Sequence, residues 1–221
     1  MSKLFIIPTP IGNLSDITVR AIETLKNVDF IIAEDTRKTL ILLKKFKIAK
    51  PVLSYHKFNE HAIHEKIITR ISNGETAALV SDAGTPGISD PGFLIVRECI
   101  NQGIEVETLP GPTAFIPALV NSGLPCDRFV FEGFLPHKKG RQKRLEALKT
   151  ETRTMVFYES PHRVLKTLNQ LAEHLGKDRQ VSVSKEISKI HETHYRGRLE
   201  EVIEKINTSV IKGEYVIVIS G

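Results

Sequence analysis

The sequence has only two cysteines, Cys99 and Cys126, and each lies in an apolar stretch. Two such thiols predict buried, reduced side chains and offer no basis for a disulfide framework or a cysteine-based zinc site. No apolar run approaches the roughly 20 residues that a membrane-spanning helix needs. The N-terminal apolar stretch, Leu4–Ile7, is too short for a signal peptide and favours a first strand. We therefore expect a cytoplasmic protein that does not enter the membrane.

Several ligand-binding motifs are also missing. There is no G-x-G-x-x-G after the first predicted strand and no G-x-x-x-x-G-K-[ST], so a dinucleotide-dependent dehydrogenase and a P-loop enzyme lose their main support. There is no H-E-x-x-H and no paired C-x-x-C. His61 and His64 lie three residues apart on a predicted helix, but a solvent-exposed pair explains them better than a metal site. We expect no bound metal.

The apolar residues that are present indicate an α/β fold. Short apolar segments alternate with segments of helical spacing, as in proteins whose helices cover a sheet. The predicted helices include Ile17–Leu25, Ile63–Ile71 and Val164–Leu175. The predicted strands are Leu4–Ile7, Phe30–Ala33, Ala77–Ser81, Val106–Leu109, Phe129–Glu132, Met155–Tyr158, Val181–Ser184 and Tyr215–Ile219.

The length of 221 residues suits two domains of about a hundred residues each. The joint is expected between Pro110 and Pro125, where prolines and glycines flank a predicted helix over Thr113–Ser122. We accordingly assign residues 1–112 to an N-terminal α/β domain and residues 113–221 to a C-terminal α/β domain.

Positive charge is concentrated in the second half of the chain. Residues 1–115 hold 13 basic and 13 acidic residues, whereas residues 116–221 hold 18 and 13, which accounts for the net charge of +5. Such asymmetry is typical of a surface that binds a polyanion, although a solvated helix face would give the same pattern. The candidate contacts are Lys138, Lys139, Arg141, Lys143 and Arg144.

Loops rich in glycine and proline follow three predicted strands of the first half: Pro8–Asn13, Ser81–Gly92 and Pro110–Ala114. In an open α/β sheet, ligands bind beyond the carboxyl ends of the strands, and glycine lets them approach the backbone. A tight turn would explain the third loop alone. The twelve-residue second loop is longer than a turn requires. We therefore predict one ligand held largely by main-chain groups.

These loops are part of a longer series of motifs: Pro8–Leu14, Ala33–Arg37, Val80–Gly92, Leu109–Thr113, Phe131–Pro136, Phe157–Arg163 and Lys185-Glu186. In this order, and over nearly the whole chain, they resemble the bacterial ribosomal RNA small subunit methyltransferase I family. The resemblance implies the tetrapyrrole-methylase fold, with S-adenosylmethionine in the cleft between two α/β domains. It also implies homodimers that methylate the ribose 2′-oxygen of a cytidine in the decoding region of 16S rRNA, with that RNA or the assembled small ribosomal subunit as partner.

The resemblance transfers residue by residue to cofactor positions in this chain. They are Pro10, Ser81, Asp82, Ala83, Gly84, Thr113, Ala114 and Tyr158. The tetrapyrrole enzymes typically have Gly-Asp-Pro where this chain has Ser81-Asp82-Ala83, so the register of contacts near Ile88 and Ser89 is open.

The ribose hydroxyl is a poor nucleophile until it loses its proton, which calls for a general base. We rank Asp35 first, then Glu34 and Glu159; a helix N-cap is the competing explanation for Asp35 or Glu34. Arg37 and Arg163 are suited to phosphate. Two alternatives stay open: a tetrapyrrole methyltransferase, and a catalytically silent RNA-binding or ribosome-assembly protein.

Overall fold

The computed structural model describes residues 2–56 and 60–221; the side chains of residues 60–62, including His61, lie outside the described residues. It divides into two compact units, Met1–Thr113 and Ala114–Gly221. This division lies one residue after the boundary that the sequence suggests.

The first unit is a parallel sheet covered by helices on both faces. Its elements are β1 (Lys3–Ile6), α1 (Val19–Asn27), β2 (Phe30–Ala33), α2 (Thr36–Lys45), β3 (Val52–Ser54), α3 (Glu60–Ser72), β4 (Thr76–Val80), α4 (Phe93–Asn101) and β5 (Glu105–Thr108). The strand order is β3-β2-β4-β1-β5, and every neighbouring pair is parallel.

Two apolar clusters explain this layering. Leu25 of α1 and Leu43 of α2 pack on one face of the sheet, whereas Ile67 of α3 and Ile95 of α4 pack on the other. A strand covered on both faces needs apolar residues at every position. All four residues of β2 are buried, which is why this strand is a continuous apolar run in the sequence.

The second unit has a mixed sheet. Its elements are α5 (Phe115–Asn121), β6 (Phe129–Phe134), α6 (Arg141–Ala147), β7 (Thr154–Glu159), α7 (Val164–Leu175), β8 (Gln180–Lys185), β9 (Thr193–Arg198), α8 (Leu199–Asn207) and β10 (Tyr215–Ile219). The strand order is β6-β7-β10-β8-β9; β6 and β7 are parallel and the other pairs are antiparallel. Leu168 and Leu171 of α7 and Val202 of α8 pack in one apolar cluster with the strands.

All eight predicted strands are present, with ends that differ by two residues at most. β3 and β9, which were not predicted, form edges of the two sheets. Among the described residues, no helix is both long enough and apolar enough to cross a bilayer.

Candidate active site and its two groups of residues

The carboxyl ends of all five strands of the first unit lie at one edge of the sheet, because the strands are parallel. Ser81, Asp82, Ala83 and Gly84 directly follow β4, and Pro10 lies four residues after β1. The helices that follow β1 and β4 pack on opposite faces of the sheet. β1 and β4 are neighbours in the sheet, and their connecting loops lead to opposite faces. Such a pair of strands forms the crevice in which α/β proteins bind ligands.

Two loops at this edge are joined by their backbones. Thr9 N donates to Gly84 O and Gly84 N donates to Thr9 O, both at 2.9 Å. The buried Thr9 also donates through Oγ1 to Ser81 O at 3.1 Å. Gly84 has a φ of +81°, in the left-handed region that glycine adopts without strain. The bridge therefore fixes the backbone around Ala83, whose side chain is exposed.

The loop after β5 joins the same structure. Thr85 Oγ1 lies 3.1 Å from Pro112 O and 2.6 Å from Thr113 Oγ1. A Cβ added to Gly111 would lie 2.7 Å from Cβ of Pro8, so only glycine permits this approach of the first and last loops. The three predicted ligand loops thus form one connected surface.

Asp82 joins this surface to the residues after β2. Its carboxylate accepts from Asp35 N at 3.0 Å and from Lys38 Nζ at 2.7 Å. Lys38 was not a predicted site residue; its only signal in the sequence is its place in the first turn of α2. The ion pair raises the pKa of the Lys38 ammonium.

Asp35 is the N-cap of α2. Its Oδ1 accepts from Arg37 N at 2.9 Å, and both oxygens accept from the Arg37 guanidinium at 3.0 and 2.7 Å. These bonds lower the pKa of Asp35 to about 2. A carboxylate of such low basicity is a poor proton acceptor at neutral pH. Glu34, directly after β2, is half-buried at the same edge.

In the second unit, Tyr158 lies near the end of β7 within a group of aromatic rings. Its hydroxyl accepts from Phe115 N at 3.3 Å, one residue after Ala114. The ring of Phe131 lies 5.1 Å from that of Tyr158 and 4.5 Å from that of Phe115, measured between centroids. Ala114 and Tyr158, the two predicted cofactor contacts in this unit, therefore lie close together.

Comparison with known proteins gives the chain its family. Residues 3–203 match the family Tetrapyrrole (Corrin/Porphyrin) Methylases. The chain is 47% identical to the Ribosomal RNA small subunit methyltransferase I of Thermotoga maritima over 100% of this chain and 99% of that protein. It is 49% identical to the Synechocystis protein of the same name, over 100% of this chain and 80% of that protein. The chain belongs to the ribosomal RNA small subunit methyltransferase I family.

The fold of this family member is also that of solved tetrapyrrole enzymes. Uroporphyrin-III C-methyltransferase from Thermus thermophilus, complexed with S-adenosylhomocysteine, superposes with a TM-score of 0.66 at 19% identity. The alignment covers 98% of this chain and 96% of that protein. The expected fold class, two α/β domains of the tetrapyrrole-methylase type, is confirmed.

Glu159, one of the expected catalytic residues, lies buried in the second unit of this family member. Its side chain has no exposed surface. The carboxylate accepts from Ser160 N at 2.8 Å, from Arg163 Nε at 2.8 Å and from Thr167 Oγ1 at 2.7 Å. These bonds anchor the start of α7 and occupy both oxygens of the carboxylate.

Two arginines of the expected RNA surface are largely buried in the structure. Arg141 is 5% exposed and donates to Gln170 Oε1 at 2.8 Å, Pro136 O at 3.1 Å and Thr167 Oγ1 at 2.7 Å. The Arg163 side chain is 15% exposed and is bonded to Glu159 and to Leu135 O. Neither position was predicted, because a local run of charges does not show which hydrogen-bond acceptors an arginine meets in the fold.

The other basic residues stay at the surface. Lys138, Lys139 and Lys143 are exposed, and none of them forms a salt bridge among the described residues. The Arg144 guanidinium is half-exposed and pairs with the buried Glu132 carboxylate through two hydrogen bonds, that from Nε at 2.6 Å. Arg37 is 87% exposed.

Proposed function

We propose that this chain transfers a methyl group from S-adenosylmethionine to the ribose 2′-oxygen of a cytidine in the decoding region of 16S rRNA. The observation that carries the proposal is the match over the whole chain to relatives named ribosomal RNA small subunit methyltransferase I. We further propose a cytoplasmic homodimer that acts on the 16S rRNA or the assembled small ribosomal subunit.

The loops of the first unit fit the proposed donor. A nucleoside cofactor needs a rigid surface of main-chain donors and acceptors without bulky side chains. Ala83 and Gly84 are held in place by the bridge to Thr9, and a Cβ added to Gly87, at a φ of +85°, would meet no atom within 4 Å. We assign Pro10, Ser81–Gly84 and Thr113 to this part of the donor site; Ala114 and Tyr158 are proposed contacts from the second unit.

When bound, the sulfonium supplies an electrophilic methyl group that is displaced in line by the ribose oxygen. The chain's own contribution is orientation, which is worth on the order of 7–11 kcal/mol when reacting groups are well aligned. Asp82 serves this purpose indirectly: it holds the residues after β2 against the loop after β4 through Asp35 N and Lys38 Nζ.

We assign the proton acceptor to Glu34 rather than to Asp35 or Glu159. The Asp35 carboxylate is occupied by its helix cap and by Arg37, and Glu159 is buried beneath Arg163. Glu34 lies at the carboxyl end of β2, at the edge where the donor loops meet. A carboxylate base in this position is expected to add roughly 10²–10⁴-fold to the rate.

We assign RNA contacts to Lys138, Lys139, Lys143 and Arg144, with Arg37 as a phosphate contact near the donor loops. The three lysines are exposed and form no salt bridge among the described residues, so they are available to neutralise phosphates. Arg144 and Arg37 are each paired with one carboxylate and have further N–H donors to offer. Replacing the three lysines by glutamine should weaken RNA binding and reduce the slope of log affinity against log salt by about 0.7 for each lost contact to single-stranded RNA.

The decisive experiment offers radiolabelled S-adenosylmethionine with small ribosomal subunits, free 16S rRNA and uroporphyrinogen. Label in a cytidine 2′-O-methyl group after nuclease digestion supports the proposal. Label in uroporphyrinogen alone would assign the chain to the tetrapyrrole methyltransferases. Binding of RNA without any transfer would indicate a silent RNA-binding or assembly protein.

A further inference from the structure

A pocket of about 510 Å³ opens on the second unit, between the end of β6 and α6. Its lining includes Phe131, Glu132, Phe134, Pro136, Lys143 and Arg144. This volume is within the usual range for small-ligand sites, roughly 300–1,000 Å³. All lining residues belong to the second unit, whereas the loops after β1, β4 and β5 belong to the first.

A bulge in β6 places two aromatic residues of the pocket lining on one face of the strand. Phe131 and Phe134 are three residues apart, which would place them on opposite faces of a regular strand. The register with β7 shifts between Phe131 and Gly133, so that Phe131 pairs with Val156 and Phe134 with Tyr158. Their partners are two residues apart, and the two phenylalanines therefore share a face.

The Phe134 ring is both exposed and fixed. It is 51% exposed, and its centroid lies 5.6 Å from that of Tyr158, which is in turn packed against Phe131. An exposed ring held by others offers a flat surface on which a planar ligand can stack. Stacking of nucleobases on such rings is largely independent of base identity.

The wall beside this ring is held by the buried arginines. Arg163 Nη1 donates to Leu135 O at 3.1 Å, and Arg141 Nη1 donates to Pro136 O at 3.1 Å. Both arginines converge on Thr167 and Glu159, which bond to each other at 2.7 Å. The segment after Phe134 is therefore fixed by buried ionic contacts rather than by loop packing alone.

The polar side of the pocket favours an anion. Lys143 and Arg144 contribute two positive charges, and Glu132 contributes one negative charge. A guanidinium has five N–H donors, and the Glu132 carboxylate accepts two of those of Arg144. A planar aromatic surface beside a net positive charge matches the chemistry of a nucleotide: a base and a phosphate.

We propose that this pocket binds one nucleotide of single-stranded RNA, with its base on Phe134 and its phosphate at Lys143 and Arg144. Phe134 is a binding residue for RNA and takes no part in methyl transfer. The inference rests on the proposed function for the identity of the RNA, but binding can be tested without any transfer reaction.

The test uses the full chain and a fluorescein-labelled single-stranded RNA of mixed sequence, titrated by anisotropy at two salt concentrations. Phe134→Ala should weaken binding roughly tenfold, and Phe134→Trp should restore it, because tryptophan also stacks. Lys143→Gln should weaken binding and lower the salt slope by about 0.7. Ile190→Ala, which removes an apolar side chain that is 97% exposed, against 51% for Phe134, and Lys166→Gln serve as controls and should bind as the wild type does.

Unchanged RNA affinity in both Phe134→Ala and Lys143→Gln would overturn the proposal. So would a loss that Phe134→Trp fails to restore, or a change of oligomeric state in Phe134→Ala by sedimentation, which would make the ring an interface between copies. Donor affinity measured by calorimetry should stay at the wild-type value in each variant. If wild-type protein methylates no RNA but shows this pattern of RNA affinities, the proposed function fails and the pocket stands.

Discussion

Replacing Glu159 by glutamine separates a structural role from a catalytic one. Glutamine keeps the size of the side chain but removes the charge opposite Arg163, whose side chain is only 15% exposed. Its NH₂ group must also face a position where Ser160 N, Arg163 Nε or Thr167 Oγ1 now donates. The variant thus leaves the buried Arg163 guanidinium without its counter-charge. It also places the NH₂ donor of glutamine against a second hydrogen-bond donor.

The expected magnitude follows from these contacts. Breaking a buried ion pair by removing one partner costs about 3–5 kcal/mol. For a chain of 150–250 residues, each kcal/mol lowers the melting temperature by roughly 2–4 °C, so Glu159→Gln should melt about 6–20 °C below the wild type. Removing Arg163 as well should cost less than the sum of the two single changes, because the double variant has no unpaired charge.

The assay is differential scanning calorimetry combined with single-turnover methyl transfer at 20 °C, where the variant should remain folded. Glu151→Gln is the control: it removes a carboxylate of the same unit whose partner, Arg153, is half-exposed, and it should leave the melting temperature nearly unchanged. Transfer by folded Glu159→Gln should stay within a few-fold of wild type. A normal melting temperature with a hundredfold loss of transfer would refute the reasoning and return Glu159 to the catalytic residues.

The remaining predictions concern the first unit and the thiols. Gly84→Val places a β-branched side chain at a φ of +81° and should abolish S-adenosylmethionine binding by calorimetry; unchanged affinity would move the donor site elsewhere. Glu34→Gln should lose at least about a hundredfold in single-turnover transfer, whereas Asp35→Asn, which still caps α2, should keep transfer; the reverse result would make Asp35 the base. Because the pKa of Asp35 lies at about 2, below its usual 3.8, the stability that it provides is present above about pH 4 and is lost as the pH falls through 2; acid titration of Asp35→Asn should lack this loss. Burial raises the pKa of the Cys99 thiol to about 11, so a disulfide reagent at pH 8 should modify only the exposed Cys126 until the protein is denatured, and rapid reaction of both thiols would contradict the buried position.

The sequence predicted what depends on local patterns. Apolar runs such as Phe30–Ala33 identified the buried strands, and the glycine-rich loops after them identified the edge where a ligand can bind, because parallel strands bring such loops together. The edge strand β9, Thr193–Arg198, was not predicted because its residues are mostly polar and partly exposed. The burial of Arg141 was not predicted, because a run of charges does not distinguish a solvated guanidinium from one that turns inward. Here the guanidinium bonds Pro136 O, 5 residues away in sequence, and Thr167, 26 residues away.

The position of β1 has a consequence for the order in which the first unit folds. The first strand to be synthesised is an inner strand of its sheet: Lys3 pairs in register with Thr76 of β4 and with Glu105 of β5. β2 and β3 pair with each other, but β2 has no contact with β1 in the sheet except through β4. During synthesis, the N-terminal segment must therefore wait unpaired until β4, which ends at Val80, has been made. Parallel pairings over such separations form slowly, since the loop must close before any contact stabilises it. Substitutions in Leu4–Ile7 should therefore lower the yield of folded protein as well as its final stability, because this buried segment is exposed to aggregation for longer than any other strand of its sheet.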